Sequence, residues 1–246
     1  MSRLLCFESL DSTNRYLKDA AAKGAAEGTV VLADTQLAGR GRLGRKFVSL
    51  PGRGVYMSML LRPETGADVA ASLTAASAVA VCRAIEKVCG VSPEIKWIND
   101  LELDGRKICG ILCESSVGAK GLEYVVVGIG LNVSTLIEEF PPELRDTAGS
   151  VYSQTGIMPE RGQLVAAIVA EMDAMYAAWR DDQSAYLTEY RRRCKMLGHC
   201  VEVYTAEGPE VCVAEEISED FGLVVRCDSG ERKTLHSGEV SVRRTR

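Results

Sequence analysis

Histidine is nearly absent from this sequence. Of its 246 residues only two are histidines, His199 and His236, and both lie in the last part of the chain. The rest of the chain therefore cannot use a Ser-His or Cys-His nucleophile or a histidine-ligated metal ion. It can offer positive charge, side-chain amides, a few carboxylates and backbone N–H groups. Such groups suit the stabilisation of a phosphoryl transition state by position and charge, with any metal ion carried by a nucleotide.

Paired cysteines and long apolar runs are also missing. None of the nine cysteines belongs to a C-x-x-C pair, and most stand among apolar residues. We therefore expect buried thiols in a reducing compartment rather than a disulfide framework or a zinc site. The most apolar stretch, Val69–Cys82, is too short to cross a bilayer, and the N-terminus lacks the apolar core of a signal peptide. These absences predict a cytoplasmic protein that does not bind membranes.

The chain has no surplus of basic residues either. It contains 29 Lys and Arg against 34 Asp and Glu, a net charge of −5, whereas a protein that binds nucleic acid without regard to sequence is usually basic. With 46% hydrophobic and 26% charged residues, it is neither a disordered chain nor a collagen-like repeat. Its length suffices for one large domain, alone or with a small second one.

The pattern of apolar and turn residues predicts two parts, residues 1–194 and 195–246. In the first part we expect strands at Thr29–Asp34, Val55–Leu61, Glu94–Trp97, Ile108–Glu114 and Tyr124–Val133, and helices at Arg15–Lys23, Ala67–Cys89, Gln163–Arg180 and Ala185–Arg193. The last two strands should form a hairpin around Gly118 and Gly121. After Gly198, five short strands in about fifty residues predict a small β-barrel of SH3-like size.

Positive charge is concentrated in one segment of this acidic chain. From Thr35 to Pro63 there are six basic residues and no Asp or Glu, and three of the arginines belong to GRGRLGR at Gly39–Arg45. Glycines allow a tight backbone approach, and guanidinium groups bind phosphate or carboxylate with two hydrogen bonds. The segment is either an anion site or a solvated surface loop. A dinucleotide fold is excluded because no helix follows the glycines.

A second group of polar residues surrounds two predicted strands. In KWIND, Lys96–Asp100, two polar side chains follow a strand, and Asp104 begins a turn that leads through Lys107 into GIL at Gly110–Leu112. Side chains at strand ends often contact ligands. On spacing alone, an exposed hairpin with charged tips is the more common explanation.

Five motifs stand in the order found in biotin protein ligases, and the sequence resembles that family. They are DSTN at Asp11–Asn14, GRGRLGR at Gly39–Arg45, KWIND at Lys96–Asp100, GRKICGIL at Gly105–Leu112 and GIGLNV at Gly128–Val133. Each motif is weak alone, but five in order make a chance match improbable. The resemblance implies an α+β fold: a mixed, largely antiparallel sheet packed with helices, similar to class II synthetases, followed by a C-terminal SH3-like β-barrel.

The resemblance also implies a reaction in two steps. Biotin and MgATP would form biotinyl-5′-AMP and pyrophosphate, and a lysine of a biotin carboxyl carrier domain would then take the biotinyl group. The Gly39–Arg45 loop would bring the two anions together and close over the reactive intermediate. Magnesium would arrive on the phosphates of ATP, so no residue of the chain is expected to ligate a metal ion.

The resemblance assigns roles to individual residues. Lys107 would bridge carboxylate and phosphate oxygens, and Asp100 would orient or deprotonate the incoming lysine. The implied catalytic residues are Arg42, Lys107 and Asp100. The implied biotin-binding residues are Ser12, Thr13, Asn14, Gln36, Gly39, Arg40, Gly41, Arg42, Lys107 and Gly110. The implied ATP-binding residues are Arg42, Arg45, Asn99, Lys107 and Asn132.

The sequence departs from the family pattern at three places. Ile98 stands where the family usually has proline, and Phe47 where it often has tryptophan, so we expect local adjustment without loss of function. Because the first motif begins at Asp11, we expect no helix-turn-helix domain and no specific DNA binding. The resemblance allows a homodimer. Two alternatives stay open: a lipoate or octanoate ligase, and a biotin-binding module without catalysis.

Overall fold

Two β-sheets organise the chain. The structure is a computed structural model, and it describes residues 3–64, 70–119, 121–205, 208–236 and 240–242. The strands are β1 Arg3–Leu10, β2 Thr29–Gln36, β3 Gly54–Leu61, β4 Glu94–Lys96, β5 Asp100–Leu103, β6 Arg106–Gly118, β7 Gly121–Asn132, β8 Cys200–Thr205, β9 Gly208–Ile217, β10 Leu223–Cys227, β11 Arg232–Leu235 and β12 Val240–Val242. The helices are α1 Thr13–Ala22, α2 Ala70–Cys89, α3 Val151–Thr155, α4 Arg161–Asp181 and α5 Ser184–Arg193.

The larger sheet has seven strands in the order β1-β2-β3-β7-β6-β5-β4. Only β1 and β2 run parallel, and every other neighbouring pair is antiparallel. The predicted hairpin is confirmed, since Gly118 pairs with Gly121. This mixed, largely antiparallel sheet packed with helices confirms the predicted α+β fold. Strands β1 and β5 and the short helix α3 were not predicted, because β1 is a half-exposed edge strand and the other two are very short.

The central strands are buried because helices cover both faces of the sheet. On β3, Leu60 contacts α1 together with Val126 of β7, whereas Met59 faces the opposite layer. This alternation follows from the two-residue period of a strand. On the opposite layer, α2 and α4 pack together, and the small side chains of α2 permit a close approach. Helix α2 ends at Cys89 as predicted, but the predicted start at residues 67–69 lies outside the described residues.

The smaller sheet has five antiparallel strands in the order β11-β10-β9-β8-β12. This agrees with the predicted five-stranded tail. Cys212 on β9 and Cys227 on β10 are register partners and form a disulfide. The expectation of free thiols is therefore wrong for this pair, because the fold brings together two strands whose cysteines are far apart in sequence. The other seven cysteines are free.

Hydrogen bonds connect the KWIND segment to helix α5 and to the turn between β9 and β10 of the smaller sheet. The indole N–H of Trp97 donates to the carbonyl oxygen of Phe221 at 3.0 Å, and the hydroxyl of Tyr190 donates to the carbonyl oxygen of Ile98 at 3.2 Å. The rings of Tyr190 and Phe221 meet edge to face, with centroids 5.8 Å apart. The boundary predicted at Lys195 falls in the link between α5 and β8, and the division into two domains stays a prediction.

No helix in the described part of the chain is both long and apolar enough to span a membrane.

Candidate functional site

A cavity of about 830 Å³ opens beside α1 on the larger sheet. Three glycines of the sheet line it: Gly110 on β6 and Gly128 and Gly130 on β7. A Cβ atom at Gly128 would lie 2.2 Å from Oδ1 of Asn14, and one at Gly130 would lie 2.7 Å from the ring of Phe47. The space at the sheet surface therefore depends on the absence of side chains at these positions.

The Gly39–Arg45 loop forms one wall of this cavity. It folds into a short turn, in which the N–H of Gly41 donates to the carbonyl oxygen of Arg45 at 2.7 Å. The side chains of Arg40, Arg42 and Arg45 belong to residues that line the cavity. Of the two interpretations of this segment, the geometry favours an anion site over a loop that projects into solvent.

Gly39 is the one predicted site residue that does not line the cavity. It lies at the base of the loop, where its carbonyl oxygen accepts from the N–H of Phe47 at 3.0 Å. A Cβ atom here would lie 2.5 Å from the carbonyl oxygen of Phe47. Gly39 therefore closes the base of the loop and does not line the cavity. No side chain fits at this position, because its Cβ atom would meet the backbone of Phe47.

Arg42 is joined to the KWIND segment across the cavity. Its Nη1 donates to Oδ1 of Asn99 at 3.1 Å, and Nδ2 of Asn99 donates to the carbonyl oxygen of Ile111 at 2.9 Å. The N–H of Ile111 donates in turn to the carbonyl oxygen of Asn99 at 2.9 Å. Both residues were predicted to bind ATP, and the structure brings them together.

Lys107 and Asp100 form an ion pair at the cavity wall. Nζ of Lys107 lies 2.6 Å from Oδ1 of Asp100, and both side chains are partly exposed. Two backbone hydrogen bonds hold Lys107 in place. Its N–H donates to the carbonyl oxygen of Thr147 at 2.8 Å, and its carbonyl oxygen accepts from the N–H of Gly149 at 2.9 Å. Asn132 supports the same segment, donating from Nδ2 to the carbonyl oxygen of Gly149 at 3.0 Å.

A second part of the cavity wall is uncharged and polar. Ser12, Thr13 and Asn14 line it at the start of α1, and each is at most 4% exposed. The backbone N–H of Thr13 donates to Oε1 of Gln36 at 2.9 Å. Ser12 precedes α1, but its hydroxyl does not cap the helix. Four residues from two distant segments thus form the uncharged part of the wall. The resemblance implied that these four bind biotin, which stays a prediction.

Phe47 and Ile98, the two residue types that depart from the family pattern, both lie at the site. The ring of Phe47 lies against Gly130 and meets the ring of Tyr56 edge to face, with centroids 6.2 Å apart. Burial raises the pKa of Tyr56 to about 12, so its hydroxyl stays protonated and donates to the carbonyl oxygen of Leu50. Ile98 is buried, and the Trp97–Ile98 peptide bond is cis. Apolar character is kept at both positions.

Sequence reasoning missed a charged group that the C-terminal part brings to the cavity. Lys195 and His199 line it, although we expected histidine only in a tail apart from the site. The side chain of Lys195 forms an ion pair with Glu102 of β5, whose side chain is 7% exposed. Lys195 and His199 follow helix α5, where charged residues are usually exposed to solvent. Only the fold therefore shows that they line the cavity.

Metal-ligating side chains do not converge at the cavity in the part of the chain that the structure describes. The one close group of three there is Glu210 with Cys212 and Cys227, in the smaller sheet and outside the cavity wall. Cys109 lies beneath the site, and burial raises its pKa far above the usual value, so it is not a ready nucleophile. The lining thus offers cations, amides, hydroxyls, the carboxylates of Asp100, Glu94 and Glu102, and the imidazole of His199.

The chain was compared with known proteins. The model of the biotin/lipoate A/B protein ligase family matches residues 6–132. The bifunctional ligase/repressor BirA of Bacillus subtilis (strain 168) is 38% identical over 173 residues, which are 70% of this chain and 53% of that protein. The chain thus spans about half the length of this relative and of the Bacillus spizizenii BirA.

Similarity over nearly the whole length is found with two other proteins. The biotin–[acetyl-CoA-carboxylase] ligase of Paracoccus denitrificans is 32% identical over 241 residues, covering 94% of this chain and 96% of that protein. The structure of a biotin protein ligase from Aquifex aeolicus in complex with biotin and ATP has a TM-score of 0.84 and 27% identity, covering 100% of both chains. The match to the Aquifex structure covers the whole chain and therefore includes both sheets and every residue that lines the cavity.

Proposed function

This chain belongs to the biotin/lipoate A/B protein ligase family, and on that premise we propose that it activates biotin with ATP and transfers it to a protein lysine. The first product would be biotinyl-5′-AMP with release of pyrophosphate. The acceptor would be a lysine of a biotin carboxyl carrier domain. The Paracoccus relative is named as such a ligase, and the Aquifex neighbour was solved with biotin and ATP.

The observation that carries this proposal is the polarity of the cavity. The lining combines the cations Arg40, Arg42 and Lys107 with an uncharged wall formed by the polar residues Thr13 and Asn14. A ligand with a carboxylate and an uncharged hydrogen-bonding ring is complementary to both groups of residues. Biotin has this form, and the same cations could bind the α-phosphate of ATP beside the carboxylate.

The first step places two anions side by side. A biotin carboxylate oxygen forms a bond to the α-phosphorus of ATP, and the bond from that phosphorus to the pyrophosphate oxygen breaks. Arg42 and Lys107 offset the repulsion between the two anions and stabilise charge on the transferring group. Magnesium carried by the phosphates of ATP would supply charge neutralisation for the pyrophosphate. For Lys107 to reach these oxygens, its ion pair with Asp100 must loosen.

The second step uses the carboxylate of Asp100, which the first step has released from Lys107. The neutral lysine amine of the acceptor forms a bond to the carbonyl carbon of biotinyl-5′-AMP, and the bond to AMP breaks. The amine loses a proton as the amide forms. Once Lys107 contacts anionic oxygens, the carboxylate of Asp100 can accept a hydrogen bond from the incoming amine and take that proton.

Pyrophosphate release tests the proposed activity against its alternatives. The purified protein is incubated with MgATP and either biotin, lipoate or octanoate, and pyrophosphate is measured. We expect release that depends on biotin, and transfer of biotin to an added carrier domain. Release with lipoate or octanoate alone would identify the other branch of the family. Biotin binding without pyrophosphate release would indicate a binding module.

Three further properties remain proposals that the sequence suggests. They are a cytoplasmic location, the absence of specific DNA binding and a homodimer. Sedimentation of the purified protein at increasing concentration measures the oligomeric state directly, and a single monomeric species at all concentrations would exclude the homodimer.

A further inference from the structure

A chain of hydrogen bonds runs behind the uncharged wall of the cavity and begins at Glu114. This residue lies on β6 and does not line the cavity. Its Oε1 pairs with Nζ of Lys18 at 2.8 Å, and its Oε2 accepts from Nδ2 of Asn14 at 2.9 Å. Burial acts to raise the pKa of Glu114, but the hydrogen bonds from Lys18 and Asn14 outweigh it and lower that pKa. The group is therefore a carboxylate, which can only accept.

This carboxylate and the carbonyl oxygen of Leu112 together determine the orientation of the Asn14 amide, and the carboxylate is the nearer of the two. Nδ2 of Asn14 donates to Glu114 and also to the carbonyl oxygen of Leu112 at 3.2 Å. Both partners are acceptors, so the nitrogen must face β6 and the amide oxygen must face away from it. Oδ1 of Asn14 then lies 2.6 Å from the hydroxyl oxygen of Ser58.

The orientation of Asn14 determines the direction of the next hydrogen bonds. Ser58 is fully buried, and its oxygen also lies 2.7 Å from Oγ1 of Thr13. A hydroxyl has one hydrogen, and Oδ1 of Asn14 can only accept, so Ser58 donates to Asn14. Thr13 then donates to Ser58 or to Oε1 of Gln36, which is 3.1 Å away. In either case Thr13 and Asn14 have only lone pairs left for a ligand.

We propose that Glu114 is a positioning residue which, acting through Asn14, makes this wall a hydrogen-bond acceptor and thereby selects a ligand ring that carries N–H donors. The inference rests on the proposed function, within which it separates two substrate classes of the family. The cyclic urea of biotin has two N–H donors, whereas the dithiolane ring of lipoate has none. An acceptor wall facing a ring without donors leaves buried lone pairs unpaired, which disfavours binding.

Four variants separate this role from simple structural support. Glu114→Leu removes the nearer of the two acceptors that hold Nδ2 of Asn14 and leaves only the carbonyl oxygen of Leu112 at 3.2 Å, so the amide is held less firmly. Glu114→Gln removes the charge but keeps an oxygen that can accept from Asn14. Lys18→Met removes the ion pair and leaves the carboxylate in place. Ser58→Ala removes a hydrogen bond to Asn14 but leaves the acceptors Glu114 and Leu112 in place, so it is a control for loss of packing.

The experiment measures initial rates of pyrophosphate release while biotin and ATP are varied separately. For Glu114→Leu we expect KM for biotin to rise about tenfold or more, with KM for ATP within about twofold of the unchanged protein. For Glu114→Gln, Lys18→Met and Ser58→Ala we expect KM for biotin to stay within about threefold. Thermal unfolding of each variant identifies loss of the fold, and Glu114→Met, a second apolar replacement, decides the matter if Glu114→Leu does not fold.

Several results would overturn the inference. An unchanged KM for biotin in the folded Glu114→Leu or Glu114→Met protein excludes the inference. It is also excluded if Lys18→Met or Ser58→Ala is as impaired as Glu114→Leu, since charge pairing or loss of packing would then be the cause. Equal rises in KM for biotin and for ATP indicate a general structural role. If the unchanged protein releases no pyrophosphate with biotin, the proposed function fails and this inference fails with it.

Discussion

Arg42 and Lys107 come from distant parts of the chain, yet both line the cavity and each is held by a partner on the KWIND segment. Arg42 donates to Asn99, and Lys107 pairs with Asp100. The motifs identified these residues from sequence because charge and glycine spacing are local properties. The partners could not be predicted, because an asparagine–arginine contact across 57 residues of chain depends on where the strands lie.

Loss of either cation should impair adenylation much more than folding. For Arg42→Ala and for Lys107→Ala we expect the rate of biotin-dependent pyrophosphate release to fall by about a hundredfold or more, because each removes positive charge from the transferring group. The free energy of unfolding should change by less than about 1 kcal/mol, since the Lys107 pair is partly exposed. Denaturant titration measures the second quantity.

A matched control is Arg192→Ala, which removes an arginine that is 65% exposed on α5 and does not line the cavity. This variant should keep full activity. Full activity of both Arg42→Ala and Lys107→Ala would contradict the assignment of the cationic wall.

At the level of elements, the Gly39–Arg45 loop and one short strand show what local sequence can and cannot indicate. The Gly39–Arg45 loop was recognised from its glycines and arginines, but its two first glycines have different environments. Gly39 meets the backbone of Phe47, whereas a Cβ atom at Gly41 would lie 3.5 Å from its nearest neighbour. Strand β5 has four residues and was missed, because a period of two is not visible over so short a span.

The different space around Gly39 and Gly41 predicts different results for two alanine substitutions in the loop. Gly39→Ala should lower biotin-dependent pyrophosphate release by about tenfold or more, because a Cβ atom 2.5 Å from the carbonyl oxygen of Phe47 forces the base of the loop apart. Gly41→Ala meets only ordinary van der Waals distances, and we expect its rate within about threefold of the unchanged protein. Equal rates for the two variants would show that the loop base does not depend on Gly39.

For the whole molecule, a cluster of charges ties α2 to α5 beside the larger sheet. Arg193 has a side chain that is 2% exposed, and it contacts Glu86 at 2.6 Å and Glu189 at 2.7 Å. The hydrogen bond from Arg193 lowers the pKa of Glu86. Burial acts to raise the pKa of Glu189, but hydrogen bonds from Arg83 and Arg193 outweigh it and lower that pKa. Both carboxyls thus favour the folded chain when ionised.

The fold should therefore lose stability in acid. Both folded-state pKa values lie below the usual 4.5, so the stability from ionisation is present above pH 4.5 and is lost as the pH falls through the lowered values. Urea unfolding from pH 6 to about pH 3 measures this decline. Glu189→Gln should flatten it and cost about 1–3 kcal/mol at neutral pH. Glu219→Gln, at a residue with an 87% exposed side chain, should change neither quantity.

The amino-acid sequence by itself determined which residues could carry the chemistry. A carboxylate-free segment with six basic residues indicated an anion site, and five ordered motifs indicated the ligase family. These are properties of residue type and spacing, which are read without a fold. The scarcity of histidine did not keep this residue type from the site, because His199 lines the cavity. The tertiary structure decided which residues meet, because contacts between distant segments depend on strand register. It left Gly39 outside the cavity wall, brought Lys195 and His199 into it, paired Cys212 with Cys227, and placed Glu114 behind Asn14.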